Sequence, residues 1–271
     1  MRKGLHIGTS GWSYKEDWKG VFYHSATSMM QQYFSYFDTA EINSSFYAIP
    51  SQKVVESLST HIAPDKFFTA KIPKSVTHEN RLQLIGEGES ILNEFFERMK
   101  PLQSRIEALL IQLPPWEISS MGDLETFLST LEPTYRYAIE FRHESWLTSN
   151  TWSLLETYNI AHCIVDEPRL PIDTRVTTDF SYIRWHGHGE DIWYKYRYSL
   201  EELESWKPHI GHILEQTDAV VGYFNNHFFG YAPFNALQML QLLEMSTPQQ
   251  DQKLQRMKKM LSRQQTTLDN F

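Results

Sequence analysis

The chain has 271 residues, 41% of them hydrophobic, and a net charge of −8. That length is enough for one large core. The acidic balance excludes the overall basic surface that non-specific DNA binding needs, though a few cations can still gather in a cleft. No run of about 18 apolar residues occurs, so no membrane span is expected. The basic start MRKGLHIGTSGW lacks the apolar core of a secretory signal. A lone Cys163 excludes a disulfide scaffold and a cysteine-rich metal site, and a reducing, cytoplasmic setting is expected.

Eight short apolar, β-branched runs read as strands covered on both faces. In order they are LHIGTS (from Leu5), TAEINSS (from Thr39), FFTAKIP (from Phe67), ALLIQLP (from Ala108), YAIEFR (from Tyr137), AHCIVDE (from Ala161), SYIRWHG (from Ser181) and AVVGYFNN (from Ala219). Helical patterns alternate with them: SMMQQYFSYF, then SQKVVESLSTHI with Ser51 as N-cap, ESILNEFFERMKPL, GDLETFLSTLE and NTWSLLETY. The sixth interval, PRLPIDTRVTTD, reads as loop. SLEELESWKPHIGHILEQ and FNALQMLQLLEM complete the series. Eight β/α alternations predict a single (β/α)8 TIM barrel over residues 1–245. An open doubly wound sheet fits less well, because no glycine-rich phosphate fingerprint follows any strand. From Ser246 the composition turns polar and Gln-rich, predicting a C-terminal helix and flexible tail over 246–271.

Active sites of such barrels lie at the C-terminal ends of the strands, and ionisable residues gather there. Strand two ends in Glu41 and Asn43, on one face because alternate residues point the same way. Strand three supplies Lys71, strand four Gln112, strand five Glu140 and Arg142 followed by His143, and strand six Asp166. Strand seven supplies Arg184 and His186, and strand eight Asn225 and Asn226. One buried ion pair is commonly structural; convergence from seven strands predicts a polar pocket.

In that pocket the arginines and Lys71 would hold phosphate or carboxylate. Glu41, Glu140, Asp166, His143 or His186 would move protons. The set fits a hydrolase or lyase acting on a phosphorylated or nucleic-acid-related substrate. It fits equally a non-catalytic module for an anionic metabolite or nucleic acid, or a carbohydrate-active enzyme using Glu41 and Glu140 as a pair. HGHGED would offer a divalent metal His186 and His188 if the strand continued; the flanking glycines favour a loop, and no cofactor or metal is predicted. Trp12, Tyr14, Trp18, Phe46, Tyr47, Trp146, Trp193, Tyr194, Tyr196 and Tyr198 fall in loops near the rim. There they serve as packing or as stacking surfaces for a sugar or base.

The segments GTSGWSYKEDWKGVFY, TAEINSSFYAIPS, FTAKIPKSVTHENRL, LLIQLPP, AIEFRHESW, YIRWHG and YFNNHFFGYAPFNA, in this order from Gly8 to about Ala236, resemble the YecE-like family, domain of unknown function 72. The resemblance implies a TIM barrel and supplies no activity. Barrel-shape similarity to the endonuclease IV group extends the expectation to nucleic acid by fold analogy alone. Its motif positions here are Trp12, Glu41, Asn43, Lys71, His78, Arg81, Gln112, Glu140, Arg142, His143, Asp166, Arg184, His186, Asn225 and Asn226.

At the end of the chain, Gln265, Leu268 and Phe271 are spaced like short peptides that dock on sliding clamps, Leu and Phe filling apolar pockets and Gln hydrogen-bonding. A frayed helix end is the plainer reading of the same residues.

Overall fold

A computed structural model describes residues 2–24 and 27–268, with side chains to residue 263. All eight expected strands form: β1 (Gly4–Thr9), β2 (Thr39–Ile42), β3 (Phe67–Lys71), β4 (Ile106–Gln112), β5 (Tyr137–Glu140), β6 (Ala161–Asp166), β7 (Phe180–Trp185) and β8 (Ala219–Phe224). They are parallel and ordered β1-β8-β7-β6-β5-β4-β3-β2. The ring is nearly closed between β1 and β2, by a bridge from Ser10 to Glu41 and a 2.9 Å bond from the Gly11 N–H to the Glu41 carbonyl. Gly8 stands at this seam. A Cβ there would overlap the Thr39 carbonyl oxygen, so only glycine lets the two strands come this close.

The helices are α1 (Lys15–Trp18), α2 (Met29–Phe34), α3 (Gln52–His61), α4 (Glu87–Met99), α5 (Leu124–Ser129), α6 (Ser149–Thr157), α7 (Leu200–Leu214), α8 (Tyr231–Leu242) and α9 (Pro248–Leu268). Their starts follow the capping chemistry. Ser51 accepts from the Val54 N–H, Asp123 from Thr126, and Ser199 with Glu202 forms a full capping box on α7. Residues 167–179, between β6 and β7, contain no helix, as the proline-rich sequence predicts. The C-terminal α9 buries Leu254, Met257 and Leu261 in the same core as the barrel helices. Residues 265 and 268 have helical backbone; the side chains of Gln265 and Leu268, and Phe271 entirely, lie outside the described residues.

Strand alternation produces two cores. Leu109, Ile111, Ile139, Ile164 and Ile183 face the helices. Phe67, Ala108, Leu110, Ala138, Cys163, Val165, Tyr182 and Tyr223 face the barrel interior. The interior changes character along the strands. At the lower end it is apolar, with Phe67, Phe180 and Ala219. Further along, hydroxyls from β2, β3, β7 and β8 pair across it: Thr39 with Tyr223 at 2.7 Å and Thr69 with Tyr182 at 2.8 Å. Two residues beyond Thr39, Thr69 and Tyr182 lie Glu41, Lys71 and Arg184, and there Arg184 reaches Glu140 and Lys71 reaches Gln112. The period of two therefore lifts polarity toward one end of the barrel, and that end holds the candidate site.

Candidate functional site

The floor of the site is organised by Arg184, fully buried at the end of β7. Its Nη1 donates to Glu140 Oε2 at 2.6 Å and its Nη2 to Glu41 Oε1 at 2.8 Å and Ser10 Oγ at 3.1 Å. Glu41 also accepts from Ser10 Oγ, and from the Tyr182 hydroxyl at 2.6 Å. Glu140 takes a second guanidinium, Arg142, whose Nε donates to its Oε1. Burial alone would push the Glu140 carboxyl up. Arg142 and Arg184 outweigh it and hold Glu140 well below the usual carboxylate range. Both glutamates are thus matched ion-pair partners beneath the cleft.

Above the floor opens a cleft of about 480 Å3. Its cations are Lys71, Arg142, Arg169 and Arg184; its aromatic walls are Tyr14, Phe46, Tyr47, Trp193 and Tyr194; Asn43, Gln112, His186, Asn225 and His227 complete the polar lining. No carboxylate lines it among the described residues. Trp193 is within cation–π range of two guanidiniums, with Arg169 4.6 Å and Arg142 5.9 Å from its ring centre. His186 stays neutral: burial, with Arg142 adding to it, lowers its pKa to about 3, and Arg142 Nη2 stands 3.0 Å from its Nε2. Asn43 Oδ1 and Arg184 Nε are buried without hydrogen-bond partners among the described residues, although both side chains border the cleft. Unsatisfied polar atoms at the edge of a cavity are places for ligand or water atoms.

A family model described as "Protein of unknown function DUF72" matches residues 6–259. The chain belongs to the DUF72 family. It is similar to the UPF0759 protein YunF of Bacillus subtilis, 27% identical over 282 residues, covering 89% of this chain and 95% of that protein. Among solved structures, a DUF72 family protein of Thermotoga maritima is 31% identical, with TM-score 0.76, covering 89% of this chain and 99% of that one. A DUF72 family protein of Enterococcus faecalis is 21% identical, with TM-score 0.77 over 90% of this chain and 97% of that one, a likeness of fold.

In this DUF72 chain the expected rim residues divide into four groups. Lys71, Gln112, Arg142, Arg184, His186, Asn43 and Asn225 converge on the cleft. Glu41 and Glu140 form its floor. His78 and Arg81 stand at its edge: His78 packs on Phe46 and Trp116, Arg81 lies over the Trp116 ring at 5.1 Å, and burial with Lys71 lowers the His78 pKa to about 4. The remaining four are placed elsewhere. Trp12 packs on Tyr33, Phe34 and Phe68. His143 caps the turn at Glu144–Trp146 through the Ser145 N–H. Asn226 donates to the Tyr196 carbonyl and to Asn235.

Asp166 is placed on the helix side of β6, opposite the inward-facing Val165. Its carboxylate contacts His188 Nε2 at 2.6 Å and accepts from Trp206 Nε1, on α7, at 2.9 Å. His186 and His188 accordingly diverge, one to the cleft and one to Asp166. Among the described residues no group of three or more His, Cys, Asp or Glu is placed to hold a metal. Asp166→Ala is expected to lower stability by about 1–3 kcal/mol, because the buried Trp206 N–H loses its acceptor, and to leave anion binding in the cleft unchanged. Urea unfolding measures the first quantity and calorimetry the second; weakened anion binding in a folded variant would return Asp166 to the site.

Three contributors escape the strand pattern. Arg169 and Trp193 come from loops, where no periodicity marks direction. The third, Glu167, lies just past the end of β6 and continues the parity of its inward face; it is 3% exposed, and neither of its oxygens has a hydrogen-bond partner among the described residues. The inward parity of Cys163 and Val165 is the signal that would have selected it over Asp166.

Proposed function

We propose that the cleft is the active site of an enzyme acting on a small phosphorylated substrate of about sugar-phosphate or mononucleotide size. The observation that carries this reading is a cleft that no carboxylate lines among the described residues, with aromatic walls, the Lys71 amine and the guanidiniums of Arg142 and Arg169, set on a floor where Arg184 is already paired with Glu41 and Glu140. Arg142 and Arg169 would hold the phosphate, Asn43 and Asn225 would orient the rest, and the tyrosines and Trp193 would flank a ring. The volume suits a small ligand, while the net charge of −8 opposes extended contact with a polyanion.

Between hydrolase and lyase, the geometry favours the lyase. Water activation wants a carboxylate or a basic histidine facing the substrate, and the cleft offers a lysine amine instead. A glycosidase needs one acid raised and one ionised; here Arg184 holds both Glu41 and Glu140, and Glu140 is kept ionised. Those two residues are therefore assigned to the support of the cationic cleft.

Inorganic phosphate titrated by calorimetry at low salt tests the anion site. The wild-type protein is expected to bind in the millimolar range or tighter, and Arg169→Ala at least about tenfold more weakly, since a hydrogen bond to a charged group contributes about 1.5–3 kcal/mol. Arg169 makes no ion pair among the described residues, so its loss spares the floor. Equal phosphate affinity in the two proteins, or none in the wild type, would overturn the reading.

A further inference from the structure

Lys71 is the lysine that lines the cleft. Its side chain is 4% exposed. Nζ donates to Gln112 Oε1 at 2.8 Å and lies 3.8 Å above the centre of the Phe46 ring. No carboxylate forms an ion pair with it among the described residues; the nearby acids, Glu41 and Glu140, are engaged by Arg184 and Arg142. A lysine retained for structure is normally paired when it is buried. This one shares its surroundings with guanidiniums and an aromatic face, which favour an uncharged amine. Burial, followed by Arg184, lowers its pKa to about 7. An uncharged amine in a hydrophobic pocket beside cations is the established way of making a lysine nucleophilic.

We infer that Lys71 is the nucleophile of a covalent step, its Nζ adding to the carbonyl carbon of a phosphorylated aldehyde or ketone held by Arg142 and Arg169. The inference rests on the anion site proposed above and narrows its substrate to carbonyl compounds. In the step, the Nζ lone pair forms the C–N bond, and the carbonyl π pair moves to oxygen, which is protonated. Nζ gives up a proton, and the carbinolamine loses water. The balance is amine plus carbonyl to imine plus water, with no oxidant or reductant. The protonated imine then draws electrons from the neighbouring C–H or C–C bond, the electron demand a lyase needs.

Glyceraldehyde 3-phosphate with sodium cyanoborohydride traps the imine as a secondary amine, which peptide mass mapping locates. At pH 7 Lys71 is expected to be labelled at least about tenfold faster than any exposed lysine, because close to half of its amine is uncharged against roughly one part in a thousand for an ordinary lysine. Labelling should rise with pH about a midpoint near 7, slow when inorganic phosphate is added, and vanish from this position in Lys71→Arg, whose folding is checked by thermal unfolding. Labelling spread evenly over exposed lysines, in a protein that still binds phosphate, overturns the covalent step and leaves the anion site standing. Labelling of Lys71 that is equally fast with unphosphorylated glyceraldehyde and indifferent to phosphate overturns the phosphorylated substrate class and the anion site with it.

Discussion

Arg184→Met is expected to destabilise the protein by about 3–5 kcal/mol, the usual cost of leaving buried charges unpartnered. The substitution keeps apolar volume but strips Glu41 of its guanidinium and Glu140 of one of two. Against a typical total of about 5–15 kcal/mol, a loss of this size would show as a large drop in the urea midpoint. Adding Glu140→Gln should recover part of it, and the double-mutant cycle should give a coupling above about 1 kcal/mol. The acid limb should change as well. Folded Glu140 holds its proton less tightly than the unfolded chain does, so its contribution is complete above the ordinary carboxylate value and is lost as pH falls toward the lower folded value. In Arg184→Met that acid sensitivity should shrink. A loss under about 1 kcal/mol, with the acid limb unaltered, would mean that the floor is not held by this ion cluster.

The opposite sign is expected for Glu167→Met. Burial raises the Glu167 pKa, an effect that Arg142 and the Arg169 main chain oppose without cancelling. A buried carboxyl short of hydrogen-bond partners costs up to about 1–3 kcal/mol, so a methionine of similar length should raise stability by up to that amount at pH 8. Folded Glu167 takes up a proton more readily than the unfolded chain, so the wild type loses stability as pH rises from the ordinary carboxylate value through the raised one. The methionine variant lacks that slope, and its advantage should be greater at pH 8 than at pH 5. Unfolding midpoints at the two pH values decide the matter, and a variant less stable at pH 8 would show that Glu167 has a stabilising partner after all.

The barrel was readable because each strand is a short apolar run with a turn signal on either side, and because Ser51, read as an N-cap, marks where α3 begins. The site was readable wherever residues two apart share one type of chemistry, as Arg184 and His186 do, or Glu140 and Arg142. It failed at AHCIVDE. There both faces of β6 are buried, apolar residues fill both parities, and the alternation cannot tell Asp166 from Glu167. It failed again for Arg169, whose direction is set by tertiary packing of an irregular loop; Trp193 was legible as a rim aromatic, but not its approach to Arg169 and Arg142. Nor does spacing along the chain tell that one arginine would satisfy two glutamates that lie 143 and 44 residues away from it. That arrangement engages both carboxylates with guanidiniums and leaves Lys71 without an ion-pair partner among the described residues.

The pairing of the first strand has a consequence for how the chain assembles. β1 is matched residue for residue along β8, from Gly4 with Ala219 to Thr9 with Phe224, whereas it meets β2 at little more than the Ser10–Glu41 bridge. During synthesis the first strand therefore waits for nearly the whole chain before its main-chain partner emerges. Until then β1 and β7 are open edges, the form in which strands most readily pair with the wrong neighbour. The ring closes last at its two ends, and fragments ending before residue 219 would be left with sticky edges rather than a smaller barrel.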